Sequence, residues 1–192
     1  MISVITGLCN RWPLAKRMIE SVPDGCELVI VDYASDDIPE GTDKTFGGKV
    51  NWQHRERPFQ LCGGLNDGFA VSTGETVFFT HADCLHPADM LKQIAANVAP
   101  GRCYFPTFEW ELEDGRTWCS DMAFGVCGFK RADVLEHQLL WNEKMDKAWG
   151  FQDNDIYDRA KAVLDVSRPF MPGLKHLYHP TATEYLERYY AK

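Results

Sequence analysis

Glu27-Leu28-Val29-Ile30-Val31-Asp32 (ELVIVD) sets an unbroken apolar run between two carboxylates. Such a run, short and rich in β-branched residues, reads as a strand buried on both faces; a strand with one wet face would alternate. Upstream, Ile2–Thr6 is a second run of the same kind. Between them Asn10 is placed to cap a helix reaching Val22, with Leu14 and Met18 four apart on one face, and Pro23-Asp24-Gly25 stops it. Strand, helix and strand within about 30 residues form a βαβ unit, which lays the two strands parallel in one sheet.

The alternation continues downstream. Ala34–Gly48 is polar and glycine-containing, hence a loop, and Lys49–His54 is a third strand. Gly63-Gly64 opens a helix to Ser72, with Leu65 and Phe69 at i and i+4. Thr76–Thr80 is a fourth buried strand, and Pro87 starts a helix to Val98. In the second half Arg102–Phe108 and Arg116–Ser120 read as strands joined across Glu113-Asp114-Gly115, a hairpin signal. Arg131–His137 is a short helix. Asp153–Asp165 is a longer one with Ile156, Ala160 and Val163 on one face. Val166–Met171 returns as a strand and Thr181–Ala191 is a final amphipathic helix. The fold class is α/β: a mostly parallel, doubly wound sheet flanked by helices, in a single domain over residues 1–192. Ligands of such sheets bind at the carboxyl ends of the strands. Asp32 and His81-Ala82-Asp83 both fall there.

Bulk properties narrow the function. The 192 residues, 45% apolar and 25% charged, are ordinary for one globular domain. A net charge of −8 argues against a nucleic-acid backbone as the main partner. It also means that an anionic ligand needs a bound cation or a local basic patch. Seven cysteines without a C-x-x-C pair disfavour a zinc knuckle or redox motif and suit thiols in a reducing cytoplasm. The N-terminal apolar run is too short for a signal peptide, and no stretch approaches the roughly 18 apolar residues of a membrane span. A cytoplasmic location is expected.

Several short segments carry chemistry, each with a plainer alternative. His81 and Asp83 leave a strand at i and i+2; they form either a polar strand end or two ligands for a manganese-like divalent ion. His176 and His179 are either loop histidines or late ligands closing the same site. In Trp149-Gly150-Phe151-Gln152-Asp153-Asn154-Asp155, Asp153 is either a helix N-cap or a general base held at a helix start. Asp32-Tyr33-Ala34-Ser35-Asp36 is either a turn or a carboxylate that accepts from a base N–H or a ribose hydroxyl. Gly63-Gly64-Leu65-Asn66-Asp67-Gly68 matches neither a Walker A nor a G-x-G-x-x-G pattern, but the helix it opens can face a phosphate.

Taken in order, these segments resemble the family 2 glycosyltransferases of GT-A fold. The matching pieces are Cys9-Asn10-Arg11 after the first strand, Val31-Asp32-Tyr33-Ala34-Ser35-Asp36, Leu65-Asn66-Asp67-Gly68, Thr73-Gly74-Glu75, and His81-Ala82-Asp83 at the Asp-x-Asp position followed by Pro87. The second half looks like the galactosyl- and N-acetylgalactosaminyltransferases, through the segment from Trp149 to Asp155 and the late His176 and His179. His81, Tyr33, Leu65 and Gln152 depart from the family's usual Asp, Asp, Arg and Glu.

The resemblance implies a nucleotide-sugar donor, a UDP-sugar, and an acceptor hydroxyl on a glycan, lipid carrier, protein or modified base. It implies a divalent metal, Mn2+ or Mg2+, on Asp83, His179, His81 and His176. It assigns the donor to Thr6, Asn10, Arg11, Asp32, Ser35, Asn66, His81, Asp83, Trp149 and Gly150, and the general base of an inverting transfer to Asp153. Residues 1–100 would form the donor half, and 101–192 the acceptor-binding and catalytic half. The rivals are a retaining transferase of the same fold and a degenerate domain that binds or scaffolds without catalysis.

Overall fold

The computed structural model describes residues 1–46, 48–56, 58–120, 125–147 and 151–179. The opening βαβ unit is β1 (Ile2–Leu8), α1 (Trp12–Ser21) and β2 (Cys26–Tyr33), with the strands parallel and Ile2 opposite Cys26. The loop expected over 34–48 contains a short helix, α2 (Thr42–Phe46), before β3 (Val50–Arg55), α3 (Leu61–Val71) and β4 (Thr76–Phe79). A two-residue strand, β5 (Cys84–Leu85), precedes α4 (Met90–Asn97). Then follow β6 (Arg102–Tyr104), β7 (Thr107–Glu111), β8 (Thr117–Ser120), β9 (Cys127–Lys130) and α5 (Arg131–Glu136). A 3-10 turn at Glu143–Lys147, α6 (Gln152–Lys161), β10 (Asp165–Ser167) and β11 (Phe170–His176) complete the series.

Seven strands form the main sheet in the order β10-β6-β9-β4-β1-β2-β3. It is parallel except at β9, which lies antiparallel between β4 and β6. Successive residues of each buried strand feed opposite faces, as strand geometry requires. Val4, Leu28, Ile30 and Phe78 pack with α1 and α4; Ile5, Val29, Val77 and Phe79 pack with α3, α5 and α6. A second sheet, β5-β11-β7-β8, contributes Phe108, Met171 and Leu174 to the first of these cores, so the two sheets share one interior.

Several boundaries differ from the sequence reading. Asn10 is not the cap of α1. It sits at φ 50, and its side-chain oxygen accepts from the Asp36 amide instead. The run Arg102–Phe108 divides at Phe105-Pro106 between the two sheets, and Val166–Met171 divides at Arg168-Pro169. A proline has no amide proton to give a ladder, so each marks the change of sheet. α6 stops at Lys161, which leaves Val163 48% exposed and buries Leu164 in its place. The 112–116 hairpin forms as expected, with Gly115 at φ 79. Thr181–Ala191, Trp149 and Gly150 lie outside the described residues.

One glycine sets how closely α3 rests on the sheet. A Cβ at Gly68 would come within 2.5 Å of Ile5 Cγ2, a branched atom that cannot swing aside. Gly68→Ala gains about 1 kcal/mol of helix propensity but overpacks the interior by roughly 1–3 kcal/mol. Net destabilisation is expected, read as a lower melting temperature by calorimetry. Gly63→Ala, where a Cβ meets only ordinary contacts at 3.5 Å and beyond, should be neutral or stabilising.

Candidate active site

The chain leaves β4 at Phe79 and turns through Thr80-His81-Ala82-Asp83 into β5. Two backbone bonds fix that turn: Cys84 N–H to the His81 carbonyl at 3.2 Å, and Leu177 N–H to the Asp83 carbonyl at 2.8 Å. The turn drives the Asp83 side chain inward, where it is 1% exposed. Around it stand Arg11, whose Nη1 donates to Oδ2, His179, with Nε2 3.1 Å from Oδ2, and His176, with Nε2 3.3 Å from Oδ1. Asp83 Oδ1 nevertheless has no hydrogen-bond partner among the described residues.

Burial alone would raise the Asp83 carboxyl. His176, the hydrogen bond from His179, Arg11 and His81 outweigh burial and hold it far below the usual carboxylate range. His176 moves the other way for an imidazole: burial lowers it to about 4, against the opposing pull of Asp83. At neutral pH Asp83 is therefore anionic and His176 uncharged, with a lone pair available to a cation. The His176 ring is held by Trp110, stacked at 4.0 Å and 21°. His81 meets His176 edge-on at 6.0 Å. The space His81 needs is supplied by Gly125, where a Cβ would lie 2.1 Å from His81 Nε2.

Behind the turn lies a residue that motif reading missed. His86 is buried, with Nε2 3.0 Å from Thr80 Oγ1, and its backbone N–H donates to Ser21 Oγ at 3.0 Å. It ties the root of the Asp83 turn to the end of α1.

Asp32 lies one residue before the end of β2 on the same edge, also buried. Its Oδ1 accepts from the amide and hydroxyl of Ser35, and the Ser35 hydroxyl in turn accepts from the Asn10 amide. With Asn10 Oδ1 on Asp36 N–H and Asp37 on the Trp12 amide, these bonds stitch the turn after β1 to the turn after β2. Asp32 Oδ2 faces the Nδ1 of His54 at 3.4 Å, another residue that sequence reasoning did not nominate. His54 and Trp52, nearly parallel at 6°, line an open cleft of about 210 Å³ with Ile38, Pro39, Gly41 and Thr42.

The remaining nominated residues are dispersed. Thr6 is buried in β1 with its hydroxyl on the neighbouring Gly7 carbonyl. The Asn66 amide is engaged elsewhere, donating to the Trp141 carbonyl and Glu143 and accepting from the Trp141 amide. Two amides at the start of α3 are already taken, because Asp146 accepts from Cys62 N–H and Gly63 N–H at 2.8 and 2.9 Å. That is a helix cap supplied from a distant segment, and it uses the anion affinity of the helix end internally.

Asp153 lies in the first turn of α6. It is not the N-cap, a position held by Phe151 at φ 66. After burial and Cys103, its charge is among the causes that raise the thiol of Cys127. Cys127 stands opposite Phe79 at the end of β4.

A parallel sheet with one antiparallel strand beside β4, a buried acid at the β4 turn and a second sheet closing over it define a GT-A-type glycosyltransferase domain. The family model Glycosyl transferase family 2 matches residues 3–162, and the chain belongs to that family. No curated protein sequence matches it. Among solved structures, S. aureus TarS 1-349 superposes with a TM-score of 0.73 at 16% identity, covering 92% of this chain and 60% of that one. TarS 1-349 in complex with UDP-GlcNAc gives 0.75 at 16% identity, covering 94% and 59%. At this identity the likeness is one of fold, and the chain spans about 60% of the TarS 1-349 length.

His86 also predicts a pH dependence. Burial lowers its pKa from 6.5 to about 3, so the folded state keeps it neutral where the unfolded chain takes up a proton. Stability is therefore full above pH 6.5 and falls as the pH drops toward 3, by roughly 4–5 kcal/mol from this residue alone. Urea denaturation between pH 7 and 4.5 should show the fall, and His86→Asn should make it shallower without abolishing it, because the burial of His176 acts in the same direction.

Proposed function

We propose that the protein transfers a sugar from a nucleotide-sugar donor, a UDP-sugar, to an acceptor hydroxyl, with a divalent cation held by Asp83, His176, His179 and His81. The observation that carries this reading is the buried Asp83 Oδ1, which accepts no hydrogen bond among the described residues and lies 3.3 Å from Nε2 of the neutral His176. One ligand atom each from His81, Asp83 and His176 lie within 4.8 Å of one another. An acid among imidazoles suits Mn2+ better than Mg2+, which prefers an all-oxygen shell. Arg11, touching both Asp83 and His179, already stands in for a cation at this position. When bound, the ion would neutralise the charge of the departing diphosphate.

The chain's own residues would do the rest. Asp32, set by Ser35 and facing His54, offers an acceptor oxygen to the base or ribose, with Asn10 and Arg11 beside it. Asp153 takes the acceptor's hydroxyl proton as that oxygen bonds to the anomeric carbon. The bond from that carbon to the diphosphate oxygen breaks, and UDP leaves. Attack opposite the leaving group inverts the configuration. Residues 1–100 would then serve the donor and 101–192 the acceptor and the base. Membership of family 2 and the fold shared with TarS, solved with UDP and UDP-GlcNAc, support the donor class. The late histidines support the likeness to galactosyl- and N-acetylgalactosaminyltransferases.

A second reading rests on Arg11: its guanidinium, already in the site, is itself the counter-ion of the diphosphate, and no metal is needed. Thermal denaturation separates the two. UDP with Mn2+ at one hundred times its dissociation constant should raise stability by about 2.7 kcal/mol, and Asp83→Ala should abolish the shift. A UDP shift that survives EDTA but is lost in Arg11→Ala favours the metal-free reading. Asp153→Asn should bind UDP normally yet lose at least about a hundredfold in transfer rate. Near-wild-type turnover would remove Asp153 from the base role.

A further inference from the structure

The second sheet carries a transverse row of side chains that starts at the candidate site and ends in solvent. Its registers place Cys84 opposite His176, His176 opposite Trp110, and Trp110 opposite Trp118. Directly paired residues point to the same face of a sheet. The row is thus a single line from the residue next to Asp83, across His176 and the stacked Trp110, to Trp118 on β8. Strands lie about 4.8 Å apart, so Trp118 stands roughly 10 Å beyond His176.

Trp118 is 57% exposed. β8 ends the order of the second sheet, and a large apolar ring on an outer strand is a liability that charged residues usually guard against. An indole left open there, in line with a candidate catalytic site, is better explained by a ligand than by packing. Its surroundings select the ligand. Leu112 and Tyr178 are less open, at 38% and 40%, and Arg116 and Asp114 form an exposed ion pair in the adjoining hairpin. A lipid chain would need a continuous apolar groove. A saccharide ring needs less: one flat apolar face of C–H bonds against an aromatic ring, and a polar rim for its hydroxyls.

We propose that Trp118 is the stacking shelf for a saccharide ring of the acceptor, and that the acceptor of this enzyme is therefore a glycan or glycoside. The proposal rests on the transferase reading for its biological sense, but its test does not. The protein is titrated with methyl glycosides of glucose, galactose and N-acetylglucosamine and followed by saturation-transfer NMR, and UDP with Mn2+ is followed separately by thermal shift. The wild type should transfer saturation to the ring C–H protons of at least one glycoside. Trp118→Ala should weaken that binding at least fivefold, Trp118→Phe should keep most of it, and both should respond to UDP as the wild type does. Equal glycoside binding by Trp118→Ala overturns the proposal, as does a wild type that responds to UDP but binds no glycoside. A change from dimer to monomer in Trp118→Ala, with glycoside binding unaltered, would also overturn it and assign the face to a second copy of the chain. Trp118-dependent glycoside binding without any UDP response would uphold the shelf while refuting the donor reading.

Discussion

A carboxylate taken out of water loses several kcal/mol of solvation, and only close charges and hydrogen bonds recover it. Asp83 is such a group, and its partners explain much of how this domain is put together. Arg11 reaches it from the turn after β1, and His176 and His179 reach it from the last residue of β11 and the segment that follows. Because the acid is buried, each partner is held in place as firmly as it holds Asp83. The same enclosure makes the position useful. An anion surrounded by one guanidinium and several imidazoles is ready to share its charge with a cation or with a phosphate that displaces one.

The carboxyl edge of the main sheet is built from linked turns rather than isolated side chains. Ser35 bridges Asp32 and Asn10, Asp37 receives the first amide of α1, and His86 joins the β4 turn to the far end of that helix. The anion affinity of the α3 start is satisfied by Asp146. The polar side chains gathered at this edge include Asp32, Arg11 and Asp83.

The parts of the fold that could be read from sequence were those with local signals. Continuous apolar runs located β1, β2 and β4, and i, i+4 spacing located α3 and most of α6. β9 was missed because Cys127-Gly128-Phe129-Lys130 is short and carries a glycine, and β5 because two residues hold no pattern. The divided strands at Pro106 and Pro169 looked continuous because apolar residues lie on both sides of each proline. In the candidate site, Asp32, Asp83 and the two late histidines were recognisable from order and residue type. Arg11 was placed with the donor through motif resemblance, and only folding puts it on Asp83. Asn66 looked like a ligand-binding residue, yet its partners lie about Trp141, and His54 and His86 carried no motif. No spacing rule announces a partner that lies dozens of residues away.

The separation of those partners also orders events in time. β4 cannot gain its outer neighbour β9 until residues 127–130 exist, and α3 lacks its cap until Asp146 has been made. Asp83 waits longest, for a histidine at position 179. Long-range pairings of this kind are slow to form. A chain emerging from the ribosome at about 5–20 residues per second therefore carries an exposed, half-assembled sheet for several seconds. During that interval the β1–β4 segment exposes apolar surface that the finished fold buries, and the carboxylate at its edge is still an ordinary solvated acid.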